Sequence, residues 1–177
     1  MPTFETERLI LRPWTVDDAE DAFAIFGNPE VTQWLGGSGF PDRLEQMPAI
    51  VERWQARYEE LGKQGFGFWA SESKETGRVV GGTVLKPLPA DNNMPTEEIE
   101  VGWYLAPPHW GRGYATEAAS RIVQYALEEL ALPEIYAIVK PGNHRSVAVT
   151  TRLGMQPLGR TTKYYDRLEA DLFRRTQ

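Results

Sequence analysis

The feature of this sequence that most restricts its fold is a strand that runs through a glycine-rich loop into an amphipathic helix. Residues 98–105 alternate in polarity, which predicts a strand. One face of this strand carries Glu98, Glu100, Gly102 and Tyr104. Residues 106–113 are rich in proline and glycine, and an apolar stripe at helical spacing follows over residues 118–130. Strand, loop and helix therefore form the decisive local unit of the chain.

The loop of this unit has the composition of a phosphate site. Its sequence is Trp110-Gly111-Arg112-Gly113-Tyr114-Ala115-Thr116. Glycine allows backbone conformations that are closed to other residues, and the N–H groups at a helix start favour an anion. Arg112 adds a positive charge. The alternative is a tight turn whose glycines serve only its shape. The Gly-Lys-Ser/Thr and G-x-G-x-x-G patterns are absent, which disfavours nucleoside triphosphate and dinucleotide sites.

Length and composition predict one domain over residues 1–177, with 41% hydrophobic and 25% charged residues. Apolar runs such as residues 135–139 are far shorter than the roughly 20 residues of a membrane span. The N-terminus lacks the pattern of a secretory signal, so we expect a cytoplasmic protein without a membrane partner. The net charge of −6 argues against a nucleic-acid partner. It mildly favours cationic partners, or it serves solubility alone.

The reactive side chains that are missing narrow the chemistry further. The chain has no cysteine, which excludes disulfides, thiolate metal sites and an acyl group carried on a protein sulfur. Its two histidines, His109 and His144, lack metal-ligand spacing. We therefore expect no metal, and we expect a structural role for His109.

Local patterns predict the remaining elements. We expect strands over residues 8–12, 66–70, 78–85 and 135–139, and helices over residues 15–26, 41–61 and 146–153. Residues 86–96 are polar and rich in proline, which predicts an exposed loop. Residues 155–174 predict a final hairpin, within which residues 164–170 could also be helical.

In these pieces the chain resembles the GNAT acetyltransferases, and within them the branch that acetylates the N-termini of ribosomal proteins, together with its small-molecule relatives. The resemblance rests on residues 7–13 before an acidic helix, on 100–105, on 110–115, and on 143–146 leading to 152–155. It implies the GNAT fold, an α+β or α/β architecture. That fold has a mixed, mostly antiparallel central sheet that is splayed in the middle and flanked by about four helices.

The resemblance also implies acetyl-CoA as the donor substrate. The family loop is usually written Q/R-x-x-G-x-G/A, which Gly113 and Ala115 match, while Trp110 stands at the Gln/Arg position. Backbone amides of residues 112–116 would hold the pyrophosphate, and pantetheine would pair with the main chain of residues 103–105. The residues implied in cofactor binding are Trp103, Tyr104, Leu105, Gly111, Arg112, Gly113, Tyr114, Ala115, Thr116 and Asn143.

Two side chains are implied in catalysis, Glu100 and Ser146. An ammonium must lose a proton before it attacks a thioester, and a carboxylate such as Glu100 accepts that proton directly or through water. Ser146 would protonate the departing thiolate. From the residues alone, Glu100 could be a solvated strand residue like Glu98, and Asn143 and Ser146 could both be helix caps.

The sequence thus predicts an N-acetyltransferase that transfers acetyl from acetyl-CoA directly to a primary amine. An N-terminal peptide, an aminoglycoside, a polyamine and other small amines remain open as acceptors, and a homodimer is possible. One alternative is a non-catalytic acyl-CoA-binding or sensor module on the same fold. A further alternative, an interaction protein with an aromatic surface, leaves residues 110–116 unexplained.

Overall fold

A mixed sheet forms the frame of the protein in the computed structural model, which describes residues 1–36, 39–90 and 94–177. The strands are β1 (Phe4–Glu5), β2 (Leu9–Pro13), β3 (Gly67–Ser73), β4 (Val79–Pro89), β5 (Pro95–Leu105), β6 (Glu134–Val139), β7 (Gln156–Thr161) and β8 (Ala170–Thr176). Their order in the 8-stranded sheet is β1-β2-β3-β4-β5-β6-β8-β7. Neighbours run antiparallel except β5 and β6, which run parallel. The mixed, mostly antiparallel sheet of the GNAT fold is confirmed.

The sheet opens between its two parallel strands. β5 and β6 pair at Glu100 and Tyr136. On its other side, β5 pairs with β4 from Pro95 through Leu105. Beyond Glu100, one edge of β5 is therefore free of strand pairing within the described residues, and this is the predicted splay.

The helices cover both faces of the sheet. The described part of the chain contains α1 (Ala19–Phe26), α2 (Pro29–Thr32), α3 (Met47–Gly62), α4 (Tyr114–Gln124) and α5 (His144–Arg152). A π-helical turn, Tyr125–Glu129, continues α4. The predicted capping box before α1 is present, since the Thr15 N–H donates to the Asp18 carboxylate at 2.8 Å. No helix in the described ranges combines the length and the hydropathy that a membrane crossing requires.

Strand alternation divides the core into two layers, because successive side chains point to opposite faces. Trp69 and Val80 pack on one face against α4, while the adjacent Phe68 and Val79 pack on the other face with α1 and α3. The helix stripe predicted over 118–130 is buried in the first layer.

Two predicted boundaries are wrong. The helix expected from about residue 41 begins at Met47, after a 3-10 turn at Leu44–Gln46. Residues 86–96, expected to be an exposed loop, include the end of β4 and the start of β5, while residues 91–93 lie outside the described part. The predicted final hairpin is confirmed as β7 and β8, and residues 164–169 lie in the connection between the two strands without forming a helix.

Candidate active site

A cavity of about 1020 Å³ opens where β5 and β6 diverge. It is lined by the predicted residues Glu100, Trp103, Tyr104, Leu105, Gly111, Gly113, Ala115, Thr116, Asn143 and Ser146. The structure thus brings together residues from β5, from the glycine loop and from the start of α5. Arg112 and Tyr114, also predicted as binding residues, do not line the cavity.

The loop before α4 presents backbone amides to this cavity. Gly111 and Gly113 have φ angles of +75° and +82°, a region that side chains other than glycine rarely adopt. Gly113 is the N-cap of α4, and no described side chain caps the helix there. The first amides of a helix lack partners within it, so those of residues 114–116 are free to receive an anion. This geometry fits a phosphate or pyrophosphate group.

Arg8 holds this loop from the N-terminal side. Its Nη1 donates to the Arg112 carbonyl at 2.9 Å, and its Nη2 lies 2.6 Å from the Glu117 carboxylate in α4. Its guanidinium also lies 4.7 Å from the centre of the buried Tyr114 ring. The side chain of Tyr114 therefore belongs to the support of the loop. The predicted contact of Tyr114 with the cofactor could therefore involve only its backbone.

Trp110, which stands where the family loop usually has Gln or Arg, is fixed by two contacts. Its Nε1 donates to the Leu105 carbonyl at 2.9 Å, and the Arg145 guanidinium lies 4.6 Å from its ring centre. The Leu105 carbonyl, predicted as part of the pantetheine contact, therefore already has a donor. A carbonyl oxygen can accept a second one.

The start of α5 separates the roles of Asn143 and Ser146. Asn143 is the N-cap, and its Oδ1 accepts the Ser146 amide at 3.2 Å. Capping is therefore the observed role of the Asn143 side chain, whereas Ser146 is the residue whose amide is capped. Ser146 lies in the first turn of α5 and lines the cavity.

Glu100 is enclosed by polar partners although it lies inside the protein. Its side chain is 7% exposed. Its carboxylate accepts a short hydrogen bond from the Tyr165 hydroxyl, and the Lys86 Nζ lies 3.8 Å away on β4. Glu98 lies on the same strand face but outside the cavity, where both its oxygens accept from Lys163 at 2.8 Å. The solvated-glutamate alternative therefore describes Glu98 and does not describe Glu100.

An irregular loop brings Tyr165 to Glu100. Tyr165, Asp166 and Arg167 have φ angles of +51°, +53° and +65°, an uncommon run for residues with side chains. The Tyr165 amide donates to the Pro89 carbonyl at 3.0 Å, which fixes the loop to the end of β4. Strain of this kind persists where the surroundings enforce it, and it is concentrated at functional sites.

Burial decides how the groups around Glu100 titrate. Burial raises the pKa of Tyr165, and the negative charge of Glu100 raises it further. The same causes hold the pKa of Tyr104 well above its usual value. Burial lowers the pKa of Lys86, while Glu100 counteracts that effect. The phenol of Tyr165 therefore keeps its proton and acts as a donor to the carboxylate.

The wall of the cavity beside Glu100 is aromatic. The Trp54 ring centre lies 5.0 Å from that of Phe26 and 5.1 Å from that of Phe68, and Tyr104 lies 5.5 Å from Phe26. Trp14 and Trp69 are buried in the core, and Trp34 and Trp54 line the cavity. These positions agree with the expectation that these tryptophans form core or pocket wall.

Several lining residues were not identified from the sequence: Lys86, Tyr165, Arg53 and Arg57. Lys86 falls in the segment that was predicted to be a loop, and no local pattern connects Tyr165 to Glu100. Arg53 and Arg57 do have a signal, because residues four apart on a helix share one face. Among the described residues, no group of three or more His, Asp and Glu is placed to hold a metal ion.

Comparison with known proteins defines the class of this one. An acetyltransferase from Agrobacterium tumefaciens of known crystal structure is 29% identical, with a TM-score of 0.75, and the match covers 100% of this chain and 95% of that one. A family model described as "Acetyltransferase (GNAT) domain" matches residues 8–156. The chain belongs to the GNAT family and is an acetyltransferase.

Two curated relatives are similar over most of the chain. The uncharacterized N-acetyltransferase YoaA of Bacillus subtilis is 33% identical over 163 residues, which cover 92% of this chain and 88% of the relative. The FsC-acetyl coenzyme A-N(2)-transacetylase of Aspergillus fumigatus is 32% identical over 169 residues, 93% of this chain and 69% of the relative. Both carry an N-acetyltransferase activity in their names.

Proposed function

We propose that this protein, acting as one domain over residues 1–177, transfers an acetyl group from acetyl-CoA directly to a primary amine. The observation that carries the proposal is one cavity that joins the free amides in the first turn of α4 to the buried carboxylate of Glu100. A chain without cysteine cannot carry the acetyl group on a protein sulfur, which favours direct transfer. Acetyl-CoA supplies the thioester when it is bound.

The glycine-loop end of the cavity is assigned to the phosphates of acetyl-CoA. The amides of residues 112–116 would accept the pyrophosphate, and Arg145 and Arg152 line the same cavity with positive charge. The unpaired edge of β5 at Trp103 and Tyr104 would align the pantetheine arm. In this orientation the thioester lies toward Glu100.

The opposite end of the cavity is assigned to proton transfer. Glu100 would accept the proton of the acceptor ammonium, directly or through a water molecule. The Tyr165 hydroxyl and the Lys86 ammonium hold the carboxylate in place from two sides. Ser146, in the first turn of α5, would return a proton to the departing thiolate.

Within the GNAT family we place the chain in the branch that acetylates the N-termini of ribosomal proteins, together with small-molecule relatives. The support for this placement is the set of segments at 7–13, 100–105, 110–115 and 143–155. The cytoplasmic location, the homodimer and the independence of metals remain predictions from the sequence.

The test is a panel of primary amines with acetyl-CoA, in which the released thiol is measured. The protein contributes no thiol of its own, so the signal reports the reaction alone. We expect thiol release with at least one amine.

Saturating acetyl-CoA should also raise the melting temperature, since a ligand at 100 times its Kd stabilises the native state by about 2.7 kcal/mol. Stabilisation without thiol release from any amine would favour the sensor module instead.

A further inference from the structure

The Glu100 end of the cavity carries more positive than negative charge. Lys86 lies there on β4 beside Glu100, and Arg53 and Arg57 line the same cavity from one face of α3. Among the described lining residues, the acidic ones are Glu100 and Glu117. Glu117 lies at the opposite end, in an ion pair with Arg8. An acceptor that enters this end therefore meets an excess of cationic groups.

Lys86 is already occupied, whereas the two arginines are not. Lys86 lies 3.8 Å from the Glu100 carboxylate and 5.0 Å from the centre of the Tyr165 ring. Arg53 and Arg57 have no ion pair within 4.0 Å among the residues that the structure describes. A planar guanidinium in that state binds a carboxylate through two parallel hydrogen bonds.

The position of Arg57 distinguishes the acceptor end from the phosphate end. Tyr58, the next residue in α3, has its ring centre 6.0 Å from that of Phe68, which pairs with Val84 on β4. Lys86 lies two residues further along β4, where burial and, to a lesser extent, the positive charge of Arg57 lower its pKa. Lys86 is paired across the sheet with Glu100. Five residues of strand separate Glu100 from Leu105, which is roughly 17 Å at about 3.3 Å per residue. Arg57 therefore lies toward the Glu100 end of the cavity, and the loop assigned to the pyrophosphate follows the other end of β5.

The same end of the cavity offers an apolar surface. The rings of Phe26, Trp54, Phe68 and Tyr104 form a connected wall, and Leu35 and Ile50 line the cavity beside it. Desolvating an apolar side chain against such a wall is favourable by about 25 cal/mol per Å² of buried surface. An amine with several charges and little apolar surface gains less from burial against this wall.

Resting on the proposed acetyl transfer, we propose that the acceptor is a small amino acid-type molecule, with a primary amine, a carboxylate and an aromatic or branched aliphatic side chain. Arg53 and Arg57 bind the carboxylate, the aromatic wall holds the side chain, and the amine lies toward Glu100. Polyamines and aminoglycosides are then poor acceptors, because their additional ammonium groups face Arg53, Arg57 and Lys86.

The experiment compares acceptors that differ in the carboxylate alone. kcat/KM is measured for phenylalanine and leucine and for phenethylamine and isopentylamine, which keep the amine and the apolar body. We expect the amino acid to be preferred in each pair. In Arg57→Gln and in the Arg53→Gln/Arg57→Gln double variant, that preference should fall roughly 10- to 100-fold. For each protein the kcat/KM of the amino acid is divided by that of the matching amine. The different intrinsic reactivities of the two acceptors cancel when this ratio is compared between variants.

Lys63→Gln is the matched control. It removes one positive charge just beyond α3, from an exposed side chain that pairs with Glu60 at 2.6 Å outside the cavity. It should leave the preference unchanged. A preference for the amines without a carboxylate, a preference for spermidine, or an unchanged ratio in both arginine variants overturns the proposal while leaving acetyl transfer intact.

A binding measurement separates this proposal from the proposed activity. N-acetylphenylalanine is titrated calorimetrically into the protein in the presence of CoA. The wild type should bind it, and the double variant should bind it roughly 10- to 100-fold more weakly. If no amine releases thiol, the proposed activity is wrong and this titration still decides the carboxylate site. Failure of the wild type to bind, or equal binding by both proteins, contradicts it.

Discussion

At the scale of single residues, burial and partners separate side chains that the sequence presents as equivalent. Glu98 and Glu100 occupy alternate positions of β5 and share its face. Glu98 pairs with the exposed Lys163, whereas Glu100 is enclosed by Tyr165 and Lys86. A carboxylate that is buried with polar partners beside a cavity is a candidate for chemistry, because an enclosed base can be positioned against its substrate.

Glu100→Gln should lower turnover by about 10²- to 10⁴-fold, the usual contribution of a positioned general base. Glutamine keeps the size and hydrogen-bonding capacity but cannot accept the proton. Stabilisation by acetyl-CoA should persist, and rising pH should partly rescue the rate, because more amine then arrives deprotonated. The measurement is kcat/KM against pH with an acceptor identified in the panel.

Glu98→Gln is the control for that variant, since it makes the same change on the same strand face outside the cavity. It should behave nearly like the wild type. Full turnover of Glu100→Gln at neutral pH would show that the residue is structural. The base would then be sought in a water relay or in Tyr104, which lines the same cavity.

Tyr165→Phe tests whether Tyr165 is a positioning residue for Glu100. Removing the hydroxyl should lower kcat about tenfold and leave the KM for acetyl-CoA unchanged. The readout is kcat against the KM for acetyl-CoA, because a positioning role lowers the first and leaves the second unchanged. Tyr164→Phe is the matched control, because the adjacent tyrosine is buried outside the cavity. Equal kcat values for the two variants would contradict the assignment.

At the scale of elements, the turn into α4 combines backbone strain with exposure to the cavity. A Cβ on Gly113 would lie 3.3 Å from the end of the Arg8 side chain, and the φ of +82° disfavours any side chain. Gly113→Val should therefore destabilise the fold by about 1–2 kcal/mol and abolish the rise in melting temperature with acetyl-CoA. The phosphate-loop assignment fails if the variant is stabilised by acetyl-CoA as much as the wild type.

Gly77→Val controls for the backbone cost alone. Gly77 has a φ of +65° in the turn between β3 and β4, and nothing lies within 4 Å of the position of its Cβ. The variant should be destabilised to a similar extent and should keep the full response to acetyl-CoA. The comparison uses the change in melting temperature on adding acetyl-CoA and not the melting temperature itself.

Local patterns predicted the elements whose signals lie close together in the chain. The unit of β5, the glycine loop and α4 is one, and the capping box before α1 is another. Residues 86–89 were predicted as loop because of their prolines. They extend β4 past the last residue that pairs with β3, so within the described residues β5 is the one strand with which they pair. Proline is tolerated in such a position, since its missing N–H is not needed.

The contacts around Glu100 could not be predicted in the same way, because they join distant parts of the chain. Tyr165 lies 65 residues from Glu100 and reaches it through a run of positive φ angles that no local pattern encodes. Lys86 is placed by the register of β4 against β5. For Tyr165 and Lys86 the sequence predicts at best the side of the sheet on which they lie. Their contact with Glu100 is decided by tertiary packing.

At the scale of the whole molecule, charge is distributed unevenly. The chain has a net charge of −6, yet the cavity is lined by Arg53, Arg57, Arg145 and Arg152. A concave region of one sign focuses the field and attracts ligands of the opposite sign. Both proposed ligand groups, a pyrophosphate at the glycine loop and a carboxylate at α3, match this distribution.

Two ion pairs connect β2, and Arg8 just before it, to the segment that leads into α1 and to the first turn of α4. Arg12 pairs with Asp18 at 2.8 Å before α1, and Arg8 pairs with Glu117 at 2.6 Å in α4. Burial, the largest influence, raises the pKa of Asp18, but the hydrogen bonds from Arg12 and Thr15 outweigh it, so the net pKa is lowered. For Glu117, burial likewise raises the pKa, but the hydrogen bonds from Thr6 and Arg8 outweigh that effect, so the net pKa is lowered.

A folded-state pKa below the unfolded value stabilises the native state above the unfolded pKa, and this contribution is lost as pH falls through the folded pKa. The reference values are 3.8 for Asp18 and 4.5 for Glu117, so the free energy of unfolding should decline below about pH 5. Asp18→Asn should lower it by about 1–2 kcal/mol at pH 7 and flatten its dependence on pH. Urea unfolding between pH 7 and pH 3.5 measures both effects.

Glu60→Gln is the control, because it breaks an exposed pair with Lys63. It should change the free energy of unfolding by no more than a few tenths of a kcal/mol at either end of this pH range. An equally steep acid limb in Asp18→Asn and the wild type would show that this ion pair does not set the acid stability of the fold.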